Sequence, residues 1–146
     1  MNIAEAAQAM HKIIGQAMNV HNEYHSGLLE SAYEAALCYV LQQDGINVQR
    51  QVFLPLYWHD VKLEQSYRLD MVVANEVIVE LKAVKNIDVS HRVQLFNYMN
   101  ITHLSYGMIL NFGGSSLYSE CYHRDHSTRE IKRIFPGSIN PSTNES

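Results

Sequence analysis

The stretch RLDMVVANEVIVELKAV, residues 68–84, contains two apolar runs of the kind that fill a sheet interior, yet Asp70, Glu80 and Lys82 lie inside them. Ala74-Asn75 marks a turn and divides the region into two strands, residues 61–73 and 76–84. Alternation in the first puts Leu63, Tyr67, Leu69, Met71 and Val73 on one face and Lys62, Glu64, Ser66, Arg68 and Asp70 on the other. In the second, Val77, Val79, Leu81 and Ala83 oppose Ile78, Glu80, Lys82 and Val84. If the two strands form a hairpin, their apolar faces must coincide, because a slip of one residue would bury the charged set. Leu69 and Met71 are therefore expected on the side of Val79 and Leu81, and Asp70 on the side of Glu80 and Lys82. A three-residue loop, residues 74–76, places Asp70 across from Glu80.

Two carboxylates at a cross-strand distance of about 5 Å repel, so something positive belongs between them. Lys82, two residues along the same face, is one candidate, and a divalent cation is the other. Hard ions such as Mg2+ take one or two carboxylates, with substrate phosphate oxygens and water completing the shell. A solvated face of exposed ion pairs, each of little energetic weight, fits the pattern equally well.

Outward from this hairpin, the apolar residues Ile3, Ala6, Met10, Ile13, Ile14, Ala17 and Met18 recur at helical spacing. A second periodic segment, residues 28–43, aligns Leu29, Tyr33, Ala36, Leu37, Val40 and Leu41 and stops at Asp44-Gly45. Residues 48–58 read as a further strand. Asp88 or Ser90 can cap a helix running to about His103, with Val93, Leu95, Phe96 and Met99 facing inward. SYGMILNFGG is a short buried strand ended by glycines, and LYSECYH is a candidate for one more. The order is α-α-β-β-β-α-β with an optional extra C-terminal strand. A helix between the third and fourth strands is a crossover that favours parallel pairing, while the first three strands form an antiparallel meander. The expected organisation is one domain over residues 1–135 and a flexible polar tail over 136–146, where GSINPSTNES has too few apolar side chains to offset ordering entropy.

The 146 residues, 47% hydrophobic and 18% charged, suit a single core. No run reaches the roughly 18 apolar residues of a membrane helix, and the N-terminus lacks secretory signal features, so a cytoplasmic address is expected. Cys38 and Cys121 have no CxxC spacing and are expected as buried thiols in a reducing compartment. A net charge of -4 gives no global attraction to a polyanion. That objection weakens if the acids are gathered at one cation.

An Asp, a gap and then ELK on the next strand, here Asp70 and Glu80-Leu81-Lys82, resembles the metal-binding core of the PD-(D/E)xK nuclease superfamily. GLLESAY, residues 27–33, resembles the GxxExxY signature of a small bacterial family within it, and QLFNY, residues 94–98, resembles the QxxxY element of exonuclease-like members. The resemblance covers Gly27 to about Phe112, and past Gly114 the chain is less like the family. It implies a restriction-endonuclease-like α/β fold, a mixed sheet flanked by helices, acting as a Mg2+- or Mn2+-dependent nuclease on DNA or RNA. It also implies Asp70, Glu80 and Lys82 as catalytic, and Glu30, Asp70, Glu80 and the Leu81 carbonyl as metal ligands. Gln94 and Tyr98 would support the lysine or touch the nucleic acid. A fold-retaining module that binds nucleic acid or a protein partner without cleaving it is the rival, and the oligomeric state stays open.

Simpler readings stand beside these. Glu30 also suits the first turn of any helix, Tyr98 also suits a core aromatic, and Tyr33 reads as packing. His21 with His25, and Cys121 with His123 and His126, complete no known zinc spacing and read as solvated or structural. REIKRIF, residues 129–135, reads as an edge strand guarded by charge.

Overall fold

The computed structural model describes residues 1–140. The elements follow in the order α1 (Ile3–Tyr24), α2 (Glu30–Gln43), β1 (Val48–Trp58), β2 (Val61–Val73), β3 (Val77–Lys82), α3 (Val89–Thr102), β4 (Tyr106–Asn111), β5 (Tyr118–Arg124) and β6 (Ile131–Ile134). The strands form one sheet in chain order, antiparallel throughout except for the parallel β3–β4 pair that α3 bridges. The expected mixed sheet is therefore present, with LYSECYH forming β5 and the REIKRIF segment forming β6 at the sheet edge, as its charged pattern predicts.

The starts of α1 and α3 are held by side-chain caps. Asn2 caps α1 and Glu5 returns a hydrogen bond to the Asn2 amide, a reciprocal pair that satisfies two otherwise orphaned donors. Asp88, one of the two caps expected, plays this part at α3, where the His91 side chain reaches back to its amide. α2 has no side-chain cap, and Leu29 stands exposed at its start rather than on the apolar face.

Helices cover both faces. Ala6, Met10, Ile13 and Ala17 of α1 and Tyr33, Leu37 and Leu41 of α2 pack on Met71, Val79, Leu81, Met108 and Leu110. On the other face Leu95, Tyr98 and Met99 of α3 pack on Leu69, Val72, Ile78 and Ile109. Each of the larger buried side chains among these contributes about 1.5–3 kcal/mol of apolar transfer, so the sheet sandwiched between helix layers holds the chain together. Met18 and Val93, expected inside, are about half exposed, because they lie on the outer sides of turns whose inner positions, Ala17 and Leu95, are buried.

One register expectation needs correction. Met71 pairs with Val79, which carries Asp70 to the position facing Glu80 as expected. Leu69, however, packs in the α3-side cluster, away from Met71. The β1–β2 ladder passes from Arg50↔Met71 to Val52↔Leu69 without pairing Gln51, whose backbone is left-handed at φ 51°. Strict alternation fails at that irregularity, which lies beside Asp70.

Cys38 and Cys121 are free and buried. The segment expected as a tail starts with a 3-10 turn, Pro136–Ser138, set against α1, and residues 141–146 fall outside the described part of the chain. Among the described residues no helix is long and apolar enough to cross a membrane.

Candidate active site

Asp70 and Glu80 meet where the β2–β3 ladder ends. Asp70 Oδ2 accepts the Leu81 amide at 2.9 Å, and the Asp70 amide faces Glu80 Oε1 at 3.4 Å. Glu80 is buried, and its pKa is pushed up to about 10, first by desolvation and then by the adjacent Asp70 charge, with Lys82 opposing. A carboxyl raised this far holds its proton at neutral pH, which relieves the repulsion between the two groups.

Lys82 projects from the end of β3, and its Nζ donates to Gln94 Oε1 of α3 at 2.9 Å. Tyr98, one turn further along α3, is buried. Its hydroxyl pKa is raised by desolvation and then by the Glu80 and Asp70 charges. Gln94 and Tyr98 thus sit over the Glu80 and Lys82 side of the strand, on the helix face their spacing of four required.

The opposite side opens into a cavity of about 220 Å³ lined by Glu30, Ser31, Glu34, Gln51, Asp70 and Leu81. Glu30 is the first residue of α2 and is exposed there. Among the described residues no group of three or more His, Cys, Asp or Glu side chains gathers closely enough to hold a metal. Glu30 shares the cavity with Asp70 without closing into a three-acid cluster, and the Cys121, His123 and His126 segment forms no metal site either.

Glu34 and Gln51 were not anticipated from the sequence. Glu34 is buried, pairs with Arg50 at 3.0 Å and accepts a hydrogen bond from Gln51 Nε2 at 2.8 Å. An acid four residues after Glu30 was a legible signal, since that spacing returns to the same helix face. The part played by Gln51 depends on its left-handed backbone, which carries no residue-type signature.

The GLLESAY segment has a structural explanation at each of its three key positions. Gly27 adopts φ 115°, which a side chain would strain. Glu30 reaches the cavity wall. Tyr33 is buried, stacks on Phe112 at 4.5 Å, donates its hydroxyl to the His25 carbonyl at 2.5 Å and accepts the Leu28 amide at 3.1 Å. Tyr33 therefore ties down the loop from which Glu30 emerges.

Two carboxyls thus meet at the end of a hairpin, with an ammonium group and the amide that holds it alongside. A family model described as the PD-(D/E)XK nuclease superfamily matches residues 7–124, and the chain belongs to that superfamily. The match runs through β5, so Tyr118–Arg124 is part of the shared body of the fold. Neither the curated proteins nor the solved structures contain a match to this chain.

Nucleases of this superfamily generally use divalent metals. The donor set here suits such an ion: two facing carboxyls, one of them raised in pKa by burial and by the charge of the other, are groups a divalent cation would be held by.

Proposed function

We propose that the chain is a Mg2+- or Mn2+-dependent nuclease of the GxxExxY group, hydrolysing phosphodiester bonds in DNA or RNA. The observation that carries this reading is the meeting of Asp70 and Glu80 at the end of the β2–β3 ladder, with Lys82 held alongside by Gln94.

Asp70, Glu80 and the Leu81 carbonyl would hold the ion, with Glu30 the further acid on the cavity wall. A bound divalent ion supplies Lewis-acid neutralisation of developing charge and a water nucleophilic near neutral pH. The Leu81 amide fixes one Asp70 oxygen, which leaves the other to face the pocket. Glu80 would have to give up its proton to hold the ion, so occupancy would strengthen with rising pH. Lys82, a compact point charge with three donors, orients the attacking water or stabilises charge on the phosphorane. Gln94 directs that ammonium group and limits its rotamers. Tyr98, neutral as a phenol near pH 7, offers a hydroxyl donor to a substrate phosphate oxygen. The free thiols of Cys38 and Cys121 fit a reducing, cytoplasmic setting.

The test is cleavage of labelled single-stranded, duplex and structured substrates in Mn2+ by the wild type beside Lys82→Ala. Activity lost with Lys82→Ala supports the reading. Folded protein whose melting temperature rises with Mn2+ but which cuts nothing would move the assignment to a binding module.

A further inference from the structure

Of the three acids that line the cavity beside the candidate site, Glu30, Glu34 and Asp70, Glu34 is the buried one and has a partner on each oxygen. One oxygen accepts Gln51 Nε2 at 2.8 Å and the other accepts Arg50 Nη2 at 3.0 Å. A buried carboxylate engaged in this way acts as a support, and what it supports is Gln51 and Arg50. Gln51 lines the cavity itself. Arg50 stands next to it in the chain, with its side chain 38% exposed against 6% for Glu34.

That pairing leaves most of the Arg50 guanidinium unspent. The group carries its N–H donors in a planar fork, and among the described residues only its Nη2 has a hydrogen-bond partner. Arg92 differs, since its Nε and Nη2 both go to Glu120. Arg50 also stands close to the carboxyl pair. It is the β1 partner of Met71, the residue after Asp70, which sets it one strand and one residue from Asp70, about 6 Å between Cα atoms. Arg50 does not itself line the cavity, so the anion it suits is a neighbour of the one at the carboxyl pair. Charge points the same way. Glu30 and Asp70 repel an incoming phosphodiester at the cavity, and Lys82 is held on the α3 face by Gln94. The α2 face needs a cation of its own, and Arg50, tied to α2 through Glu34, is placed to supply it.

We infer that Arg50 is a phosphate-binding residue, clamped by Glu34 so that its free donors take the backbone phosphate next to the one attacked at Asp70, Glu80 and Lys82. This rests on the nuclease reading for its occupant. An arginine used in this way contacts a group that does not react. It therefore binds substrate and transition state alike, and its loss raises KM with little change in kcat. A guanidinium that only balances Glu34 leaves KM and the salt dependence of binding untouched.

The full chain carrying Lys82→Ala, in which cutting is expected to stop, is titrated in Mn2+ with labelled single-stranded and duplex oligonucleotides at about 50 to 200 mM salt. Adding Arg50→Gln is expected to weaken binding about tenfold. It also lowers the slope of log K against log salt by about 0.7 for a single strand or 0.9 for a duplex. Arg50→Lys keeps the slope and recovers part of the affinity, because the charge stays while the fork is lost. With Lys82 restored, Arg50→Gln raises KM by about the same tenfold and leaves kcat within about twofold. An unchanged melting transition, and an unchanged rise of it with Mn2+, shows that each variant keeps its fold and its carboxyl pair. Arg50→Gln alone leaves the buried Glu34 charge unpaired. Should it not fold, Glu34→Gln combined with Arg50→Gln removes both charges and gives the same reading. Folded Arg50→Gln protein with wild-type affinity and slope, a weaker affinity at an unchanged slope, or a loss confined to kcat would overturn the inference. So would wild-type protein that binds none of the oligonucleotides. Wild-type protein that cuts nothing in Mn2+, while Arg50→Gln still lowers the slope, keeps the phosphate contact and removes the nuclease reading alone. Cleavage whose KM is indifferent to Arg50→Gln does the reverse.

Discussion

Gln51 Nε2 donates to the buried Glu34 carboxylate at 2.8 Å from a backbone held at φ 51°, beside the one step of the β1–β2 ladder that goes unpaired next to Asp70. A left-handed conformation costs a residue with a Cβ about 1–2 kcal/mol, and this side-chain bond helps to offset it. Gln51→Gly removes the strain together with the bond, whereas Gln51→Ala removes the bond and keeps the strain. The glycine variant is expected to be the more stable of the two by about 1 kcal/mol in urea unfolding. The reverse order would mean that the kink is not held under strain.

Glu80→Gln places a neutral isostere where the folded protein already holds a protonated acid. Without metal it is expected to be more stable than wild type at neutral pH, because the wild type must take up a proton on folding and the amide need not, and to match wild type at a pH below about 4.5. Mn2+ stabilises a protein that binds it only when folded, by mass action, so the wild-type melting temperature rises with Mn2+. The Glu80→Gln and Asp70→Asn variants are expected to lose that rise. Titration of melting temperature against Mn2+ decides, and a rise that survives in both variants places the ion elsewhere.

Glu120 is buried between Arg92, which reaches its two oxygens at 2.8 and 2.7 Å, and the hydroxyls of Tyr118 and Tyr122 at 2.7 and 2.5 Å. The Arg92 hydrogen bonds do most to hold its pKa down at about 2, below the ordinary carboxylate value of about 4.5. Because the folded value is the lower one, this stabilisation is complete above the unfolded pKa and is lost as pH falls from about 4.5 towards about 2. Glu120→Gln is expected to cost about 3 kcal/mol at neutral pH and to flatten the acid limb of the stability profile. Urea midpoints at neutral and acid pH measure both, and an acid limb unchanged in the variant would assign it to other groups.

Gly113 stands where a Cβ would overlap the backbone nitrogen, carbon and oxygen of Val84. Asn111 clasps the same residue, accepting the Val84 amide at 3.0 Å and donating to its carbonyl at 2.9 Å. Gly113→Ala must push this loop away from the end of β3, so a loss of about 3 kcal/mol is expected, along with reduced cleavage, since Lys82 lies two residues before Val84. Gly114→Ala, which meets only Ser116 backbone atoms at 3.3 Å or more, is the milder control. Equal losses from the two would show that the loop yields without cost.

Periodicity and turn chemistry in the chain determined the two opening helices, the meander, the parallel crossover to β4 and the register that sets Asp70 opposite Glu80. These features depend on which side chains can share a buried face, and residue order encodes that directly. The same order made Asp70, Glu80, Lys82, Gln94 and Tyr98 visible as candidates. Only the tertiary structure decided that Leu69 turns toward α3, that Glu34 and Gln51 line the cavity beside Asp70, and that the β1–β2 ribbon extends beyond β3 with its rings uncovered. A left-handed kink at a glutamine has no signature in residue type. Nor does an apolar pattern say which neighbouring element will arrive to cover it, because that depends on the lengths and placement of elements distant in the chain.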